Sequence, residues 1–163
     1  MLLLIRHGLA EDRRPGLADA ARALTDEGRA RFSGEVRGLS RLEVRLDRVF
    51  HSPWARAAQT AALLAPVLTG ELEETALLAR SPGPALIAAL AAGKHVAAVG
   101  HEPWMSALLS ILVSGTVSLA DRLPFKKGGV AWLDGDPEPG RMTLVALLPP
   151  RVLRALGSPS EIG

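Results

Sequence analysis

Two short apolar runs, residues 2–5 and 96–99, constrain the fold more than any other feature of this sequence. Neither run alternates with polar residues, which is typical of strands buried on both faces of a parallel sheet. Another strand is indicated by Leu46, Val49 and Phe50. Because helical patterns separate these strands, the sequence predicts an α/β protein, a three-layer α/β/α sandwich with a mainly parallel central sheet.

Capping residues and a Ser-Pro pair predict where two of the helices begin. Thr25 is a suitable N-cap, and Asp26 follows in the first turn, where a carboxylate favours the helix dipole. Ser52 followed by Pro53 predicts the start of a second amphipathic helix, which Gly70 is expected to end. Further helices are expected over residues 84–92, 104–113 and 152–156, and further strands over residues 72–78, 130–133 and 142–148.

The length of 163 residues fits one domain. We expect a single domain over residues 1–156 and a frayed tail over residues 157–163. With 48% hydrophobic residues and only three Phe and three Trp, the core must be largely aliphatic. No apolar run approaches the ~20 residues of a membrane helix, and no signal-peptide pattern is visible. We therefore expect a cytoplasmic protein that binds no membrane.

Composition also excludes several kinds of chemistry. The chain has no cysteine, which removes disulfides, thiolate catalysis and cysteine-based zinc sites. Its net charge is +2, without a dense Lys/Arg run, and aromatic residues are scarce, so nucleic-acid binding is not expected. The sequence also lacks the spacings of a P-loop, a nucleophile-elbow hydrolase and a histidine-paired metal hydrolase. No metal and no cofactor is expected.

Basic and imidazole side chains follow the three predicted strands. Arg6, His7 and Gly8 come directly after the first strand, Arg56 comes shortly after the second, and His101 follows the third. In α/β sheets, ligands bind beyond the carboxyl ends of the strands. Each residue alone could be a surface charge or a helix cap, but their occurrence at three strand ends predicts one functional site.

These segments resemble a known family. Residues 4–8, 52–61 and 99–103 resemble the three signature motifs of the histidine phosphatase superfamily, which has the phosphoglycerate-mutase-like fold. The short chain without an inserted cap, together with residues 22–28, resembles its SixA-like phosphohistidine phosphatase branch. The resemblance covers residues 1–148 and implies a hydrolase that removes phosphoryl groups without a metal.

The resemblance also implies roles for single residues. His7 would be the nucleophile and would form a phosphohistidine enzyme, so it must be neutral, with one ring nitrogen free. Arg6 and Arg56 would grip the phosphoryl oxygens, because fixed guanidinium groups offset the phosphate charge. His101 would complete the pocket by donating to the same oxygens or by stabilising the transition state. Gly8 lies in the same phosphate-binding segment.

Several positions stay open. Arg22 is either a third phosphate contact on a mobile loop or a surface charge. Ser52 either orients the pocket or caps its helix, and the cap is the favoured interpretation. No segment matches the general acid of the mutase-type members, so the proton donor is Glu11, Glu102 or absent. Without a donor, the site suits an easy leaving group such as the imidazole of phosphohistidine.

The expected substrate is a protein phosphohistidine, and the expected chain is a monomer. The alternatives are a broad phosphomonoesterase that acts on small molecules and a non-enzymatic module that binds phosphate or phosphoproteins. Phosphohistidine, phosphoserine and small phosphorylated metabolites all fit the same Arg/His pocket, whereas the intact set of four pocket residues disfavours the binding module. Slow or absent turnover with tight phosphate binding would favour the binding module.

Overall fold

The computed structural model describes residues 1–158, which form one six-stranded sheet. The strands are β1 (Leu2–Arg6), β2 (Leu46–His51), β3 (Leu68–Glu74), β4 (Val96–Gly100), β5 (Val130–Asp134) and β6 (Thr143–Leu148). Their order in the sheet is β3-β2-β4-β1-β5-β6. The first four strands in this order are parallel. β5 pairs antiparallel with β1, and β6 pairs antiparallel with β5. The mainly parallel sheet confirms the predicted class.

Helices cover both faces of the sheet. They are α1 (Asp26–Arg41), α2 (Ala55–Ala62), α3 (Pro84–Leu90), α4 (Trp104–Ser114) and α5 (Pro150–Gly157). Successive side chains of a strand point to opposite faces. Leu3 and Ile5 of β1 therefore join the core under α1, α2 and α5, while Leu2 and Leu4 join the core under α3 and α4. The three-layer architecture is as predicted.

The start of α1 agrees with the sequence, whereas the bounds of α2 do not. Thr25 caps α1, because its side-chain oxygen accepts a hydrogen bond from the Gly28 amide. The prediction that α2 begins at Ser52 and Pro53 is wrong, since the helix begins at Ala55. Ser52 instead extends the chain past β2, where its backbone amide donates to the Val99 carbonyl of β4.

Gly70 does not end a helix. It lies inside β3, where a Cβ atom would overlap the backbone carbonyl of Asp47 on the neighbouring strand. The glycine is therefore required by close approach of two strands rather than by a helix terminus. The strand predicted over residues 72–78 begins earlier and ends at Glu74, before a short 3-10 helix, Ala76–Ala79.

The last helix extends one residue into the predicted tail. Gly157 is the final residue of α5 and is buried, because α5 packs closely on α1 at Gly34 and Gly38. The remainder of the predicted tail, residues 159–163, lies outside the described residues. Within residues 1–158, no helix combines the length and apolar character needed to cross a membrane.

Candidate active site

Sheet order brings the predicted site residues together. β2, β4 and β1 are neighbours in the sheet, although β2 and β4 lie far from β1 in the sequence. All three strands are parallel, so their carboxyl ends meet at one edge. His7 follows β1, Ser52 follows β2 and His101 follows β4. Arg56 reaches the same place from the first turn of α2.

His7 is held in one tautomer. Its Nδ1 lies 2.7 Å from the carbonyl oxygen of Gly8, so Nδ1 carries the proton and donates it. Nε2 accepts a hydrogen bond of 3.1 Å from Nε of Arg56. Burial is the main cause that lowers the pKa of His7 to about 3, and nearby His101, Arg56 and Arg6 also lower it. His7 is therefore a neutral imidazole with a lone pair on Nε2.

Arg56 is buried, and each of its three guanidinium nitrogens has a hydrogen-bond partner. In addition to the bond to His7, its Nη1 donates to the backbone carbonyl of Asp19 at 2.6 Å, and its Nη2 donates to the Asp19 carboxylate at 3.0 Å. The guanidinium also lies over the Trp54 ring, 4.7 Å from its centroid. Burial lowers the pKa of Arg56, and the Asp19 carboxylate opposes that change.

Asp19 is a site residue that the sequence did not indicate. It lies in a short 3-10 helix, Asp19–Ala21, in the loop between β1 and α1. Its second carboxylate oxygen accepts hydrogen bonds from Nε of Arg22 at 2.9 Å and Nε of Arg13 at 3.1 Å. Burial alone would raise the pKa of Asp19, but the hydrogen bonds from Arg56 and Arg22 lower it to about 2. Its carboxylate is therefore ionised.

This arrangement gives Arg22 partners inside the loop. Its Nη1 donates to the Glu11 carbonyl at 2.6 Å, in addition to the bond from Nε to Asp19. Its side chain is 13% exposed, so Arg22 is not a freely solvated surface charge. Arg22 holds the Asp19 loop, and its contact with a phosphate stays a prediction.

Arg6 and His101 each present a buried nitrogen without a partner among the described residues. Nη1 of Arg6 donates to the Phe125 carbonyl at 2.6 Å, whereas its Nε is unpaired. Nε2 of His101 lies 2.8 Å from Oγ of Ser52, whereas its Nδ1 is unpaired. Burial lowers the pKa of Arg6, with Glu102 opposing, and burial with nearby Arg56 lowers the pKa of His101 to about 4. Unpaired buried donors are costly unless a ligand satisfies them.

Ser52 orients His101 and does not cap α2. Its Oγ accepts a hydrogen bond of 3.3 Å from the Trp54 amide, in the turn before the helix, and the N-cap residue of α2 is Trp54, which makes no side-chain cap hydrogen bond. The same hydroxyl can then donate its proton to Nε2 of His101. The proton of neutral His101 then belongs on Nδ1, which is the unpaired ring nitrogen. The favoured cap interpretation was therefore wrong, and the alternative, that Ser52 orients the pocket, fits its contact with His101.

Two polar residues of α2 connect the segments of the site. Thr60 accepts a hydrogen bond of 3.0 Å from the Gly8 amide and donates one of 2.6 Å to the Arg56 carbonyl. Gln59 accepts a hydrogen bond of 2.7 Å from the Leu24 amide. The segments that carry His7, Arg56 and Asp19 are thus joined through one helix.

The two carboxylates considered as proton donors have other partners. Glu102 accepts hydrogen bonds from the Ser106 amide and hydroxyl and from the Phe125 amide, so it caps α4. Glu11 accepts a long hydrogen bond from the Ala23 amide, and its side chain is 40% exposed. Within residues 1–158, neither carboxylate hydrogen-bonds to His7. No group of His, Asp and Glu in that range is placed to hold a metal ion.

Two tryptophans form an apolar wall beside the imidazoles. The Trp54 ring centroid lies 4.4 Å from that of His101, and the Trp104 centroid lies 6.3 Å from the same ring. The two indoles contact each other edge to face at 6.0 Å. The sequence patterns indicated helical positions for both residues and no role in a site. Their positions directly after two strand-end motifs could have indicated this role.

The architecture and the site define an α/β protein with two imidazoles and two arginines converging at a sheet edge. The sequence profile of the histidine phosphatase superfamily (branch 1) matches residues 2–79. An uncharacterised protein of Picosynechococcus sp. is 30% identical over 139 residues, which are 81% of this chain and 83% of the relative. The chain belongs to the histidine phosphatase superfamily, in its SixA-like branch.

Solved structures agree with this assignment. A SixA protein of Agrobacterium tumefaciens, described as a candidate phosphohistidine phosphatase, is 26% identical with a TM-score of 0.74, covering 90% of this chain and 96% of its own. A protein histidine phosphatase SixA complexed with tungstate is 24% identical with a TM-score of 0.77, covering 93% and 98%. A protein of Escherichia coli, described as a candidate α-ribazole-5′-P phosphatase, has a TM-score of 0.71 at 19% identity, covering 91% of this chain and 96% of its own. The last two support the fold alone.

Proposed function

We propose that this protein is a metal-independent phosphatase that acts on protein phosphohistidine through a phosphorylated His7. The observation that carries the proposal is the state of His7. Its Nδ1 proton is held by the Gly8 carbonyl, and its pKa of about 3 keeps Nε2 unprotonated. A buried, oriented imidazole with an unprotonated Nε2 is what a phosphoryl acceptor requires, and the incoming phosphoryl group must displace the hydrogen bond that Nε2 accepts from Nε of Arg56.

The reaction has two displacements. The substrate imidazole carries a proton on the ring nitrogen distal to phosphorus. Nε2 of His7 bonds to phosphorus while the bond from phosphorus to the substrate nitrogen breaks, and the electron pair stays on that nitrogen, so a neutral imidazole leaves. Water then attacks phosphorus and loses a proton to solvent, the bond to Nε2 breaks with its electron pair returning to Nε2, and phosphate leaves with His7 restored. Arg6, Arg56 and His101 Nδ1 donate to the phosphoryl oxygens and stabilise the charge in both steps.

Among the described residues, neither Asp19 nor Glu102 is suited to protonate a leaving group, which supports an imidazole leaving group. Asp19 contacts Arg56 but is ionised, with a pKa of about 2, so it has no proton to give. Glu102 is occupied in capping α4. An alkoxide leaving group gains ~10²–10⁴-fold from a proton donor, whereas an imidazole with a pKa near 6.5 needs less help. Trp54 and Trp104 offer apolar surface for such a ring.

The incoming phosphoryl group must compete with Asp19. The Asp19 carboxylate and carbonyl use both Nη atoms of Arg56, which are the natural donors to two phosphoryl oxygens. We infer that substrate binding moves Asp19 away from Arg56, while the hydrogen bonds from Arg13 and Arg22 keep the Asp19 carboxylate paired. The phosphoryl group would then replace the Asp19 carboxylate as the anion bound to Arg56.

The test is steady-state hydrolysis of a phosphohistidine peptide and of para-nitrophenyl phosphate, with excess chelator. We expect wild-type activity on both, faster for the peptide, and at least a 10³-fold loss in His7→Ala. His95→Ala is the matched control, because His95 is an exposed histidine at the opposite end of β4. Quenching in alkaline detergent should trap a phosphoenzyme in wild type and not in His7→Ala, because a phosphorus–nitrogen bond is stable in base and hydrolyses in acid.

Other results would redirect the assignment. Faster hydrolysis of small phosphomonoesters than of the peptide would favour the broad phosphomonoesterase. Tight phosphate binding without turnover would favour the binding module. Loss of activity with the chelator would contradict the metal-independent mechanism.

A further inference from the structure

A cavity of about 310 Å³, separate from the candidate active site, lies beside His7 on the face of the sheet that α1 and α5 cover. Its walls come from α1, from the start and body of α5 and from the loop that precedes β5. Its floor includes Arg6 and Gly8, the two neighbours of His7 in the chain. The cavity and the candidate active site therefore share one short backbone segment.

Positive charge dominates this cavity. Arg31, Arg154, Lys126 and Lys127 line it, against a single carboxylate, Glu35. Arg31 also pairs with an acidic neighbour on its own helix, and Arg154 pairs with Glu35. Lys126 and Lys127 are exposed and make no ion pair within residues 1–158. Lys126 and Lys127 can therefore pair with an anion that binds in the cavity.

Glu35 lies at the base of the cavity and is almost completely buried. Its Oε1 accepts a hydrogen bond of 2.6 Å from Nη1 of Arg154, whereas its Oε2 is buried with no partner. Burial raises the pKa of Glu35 to about 7, although Arg154 and Arg31 oppose that shift. A protonated carboxyl group would donate a hydrogen bond, so Glu35 need not repel an anion bound beside it.

Gly128 links the cavity to the nucleophile. Its amide donates to the carbonyl oxygens of both Arg6 and His7, at 3.1 Å each. Its φ of +81° favours glycine, and a Cβ atom there would overlap Oε2 of Glu35. The two lysines precede this residue directly, so their backbone is fixed relative to His7.

We propose that this cavity is a second oxyanion site, which receives a carboxylate or phosphate group that the substrate itself carries near the phosphoryl group being transferred. The inference rests on the proposed function, because it assigns a recognition element to the same substrate. It specifies that substrate further as a phosphorylated segment with acidic neighbours. Lys126 and Lys127 supply the attraction, and Arg154 and Glu35 form the base.

The test compares two peptides that carry the same non-hydrolysable phosphonate in place of the phosphoryl group. One is flanked on both sides by Glu and the other by Gln, and their Kd values are measured by calorimetry at low salt. Wild type should bind the acidic peptide about tenfold more tightly, since several charge pairs contribute together. In the Lys126→Ser/Lys127→Ser double variant this preference should fall to about twofold or less, with little change for the neutral peptide.

Lys94→Ser is the matched control, because Lys94 is an exposed lysine at the opposite edge of the sheet, and it should keep the full preference. Equal affinities of the two peptides for wild type, or a preference that survives in the double variant, would overturn the inference. Para-nitrophenyl phosphate hydrolysis is followed on the same samples. Its absence in wild type would count against the proposed function, while the ratio of the two Kd values judges the second site independently.

Discussion

The Asp19 carboxylate lies 3.0 Å from Nη2 of Arg56, on the guanidinium group that we assign to phosphoryl binding. The Asp19 carbonyl accepts from Nη1 of the same group. The cationic centre of the site is thus neutralised by an anion from its own loop. The ion pair with Asp19 offsets the desolvation cost of burying Arg56. Every phosphate that binds Arg56 must therefore compete with the Asp19 carboxylate.

Asp19→Asn should tighten the binding of inorganic phosphate. The amide removes the negative charge that competes for Arg56 while preserving most of the side-chain shape, and we expect an inhibition constant about tenfold lower than in wild type. Competitive inhibition of para-nitrophenyl phosphate hydrolysis measures it. Asp121→Asn, an exposed acid in another 3-10 helix, is the control. Weaker phosphate binding in Asp19→Asn would show instead that Asp19 mainly positions Arg56.

Ser52→Ala should impair turnover more than binding. Without the hydroxyl, Nε2 of His101 loses its 2.8 Å partner, and the proton is no longer fixed on Nδ1. We expect kcat to fall about tenfold with little change in KM, as for loss of an oriented donor to transition-state charge. Ser40→Ala, at the exposed end of α1, is the control and should match wild type. An equal loss of kcat in both variants would contradict this role.

The acid titration of His7 should lie far below that of a free imidazole. Its native pKa of about 3 is below the unfolded value near 6.5, so the unfolded state binds more protons between these two values. The contribution of His7 to stability is therefore complete above pH 6.5 and is lost as the pH falls. Imidazole NMR signals, assigned with His7→Ala, should stay in the neutral position from pH 8 to 5. A midpoint near pH 6.5 for His7 would contradict the burial argument.

Glu35 should produce the opposite pH dependence. Its native pKa of about 7 exceeds the usual value of 4.5, so the native state binds more protons between these values and loses stability as the pH rises through them. Glu35→Gln keeps an acceptor for Arg154 and removes the charge. Its stability relative to wild type should improve from pH 5 to pH 8 by about 1–3 kcal/mol. Urea unfolding at both pH values measures this, and a parallel loss at both would contradict it.

Much of the fold could be predicted from apolar patterning. β1 and β4 read as continuous apolar runs because both faces of each strand are covered, and the structure confirms them. The bounds of α2 were wrong because Ser52 and Pro53 carry a helix-start signal but follow β2 too closely to leave the sheet edge. Gly70 was misjudged because the close approach of two strands is a tertiary requirement, invisible in local sequence.

The site could be predicted only where residues follow strands. His7 and His101 were found because they come directly after apolar runs, and Arg56 because it follows on the next helix. Asp19 was missed because it lies in an irregular loop, and its three arginine partners are brought together only by the fold. The pairing of Ser52 with His101 depends likewise on the adjacency of β2 and β4.

The position of β4 between β1 and β2 has a consequence for how this protein acquires activity. Residues 1–62 hold His7 and Arg56, but β1 and β2 do not pair with each other, and β4 lies between them in the sheet. During synthesis, a nascent chain whose residues 96–100 have not yet left the ribosome would lack the strand that aligns β1 with β2. Long-range parallel pairing is slow to form. Recovery of activity on refolding should therefore track the insertion of β4 into the sheet, later than formation of the helices.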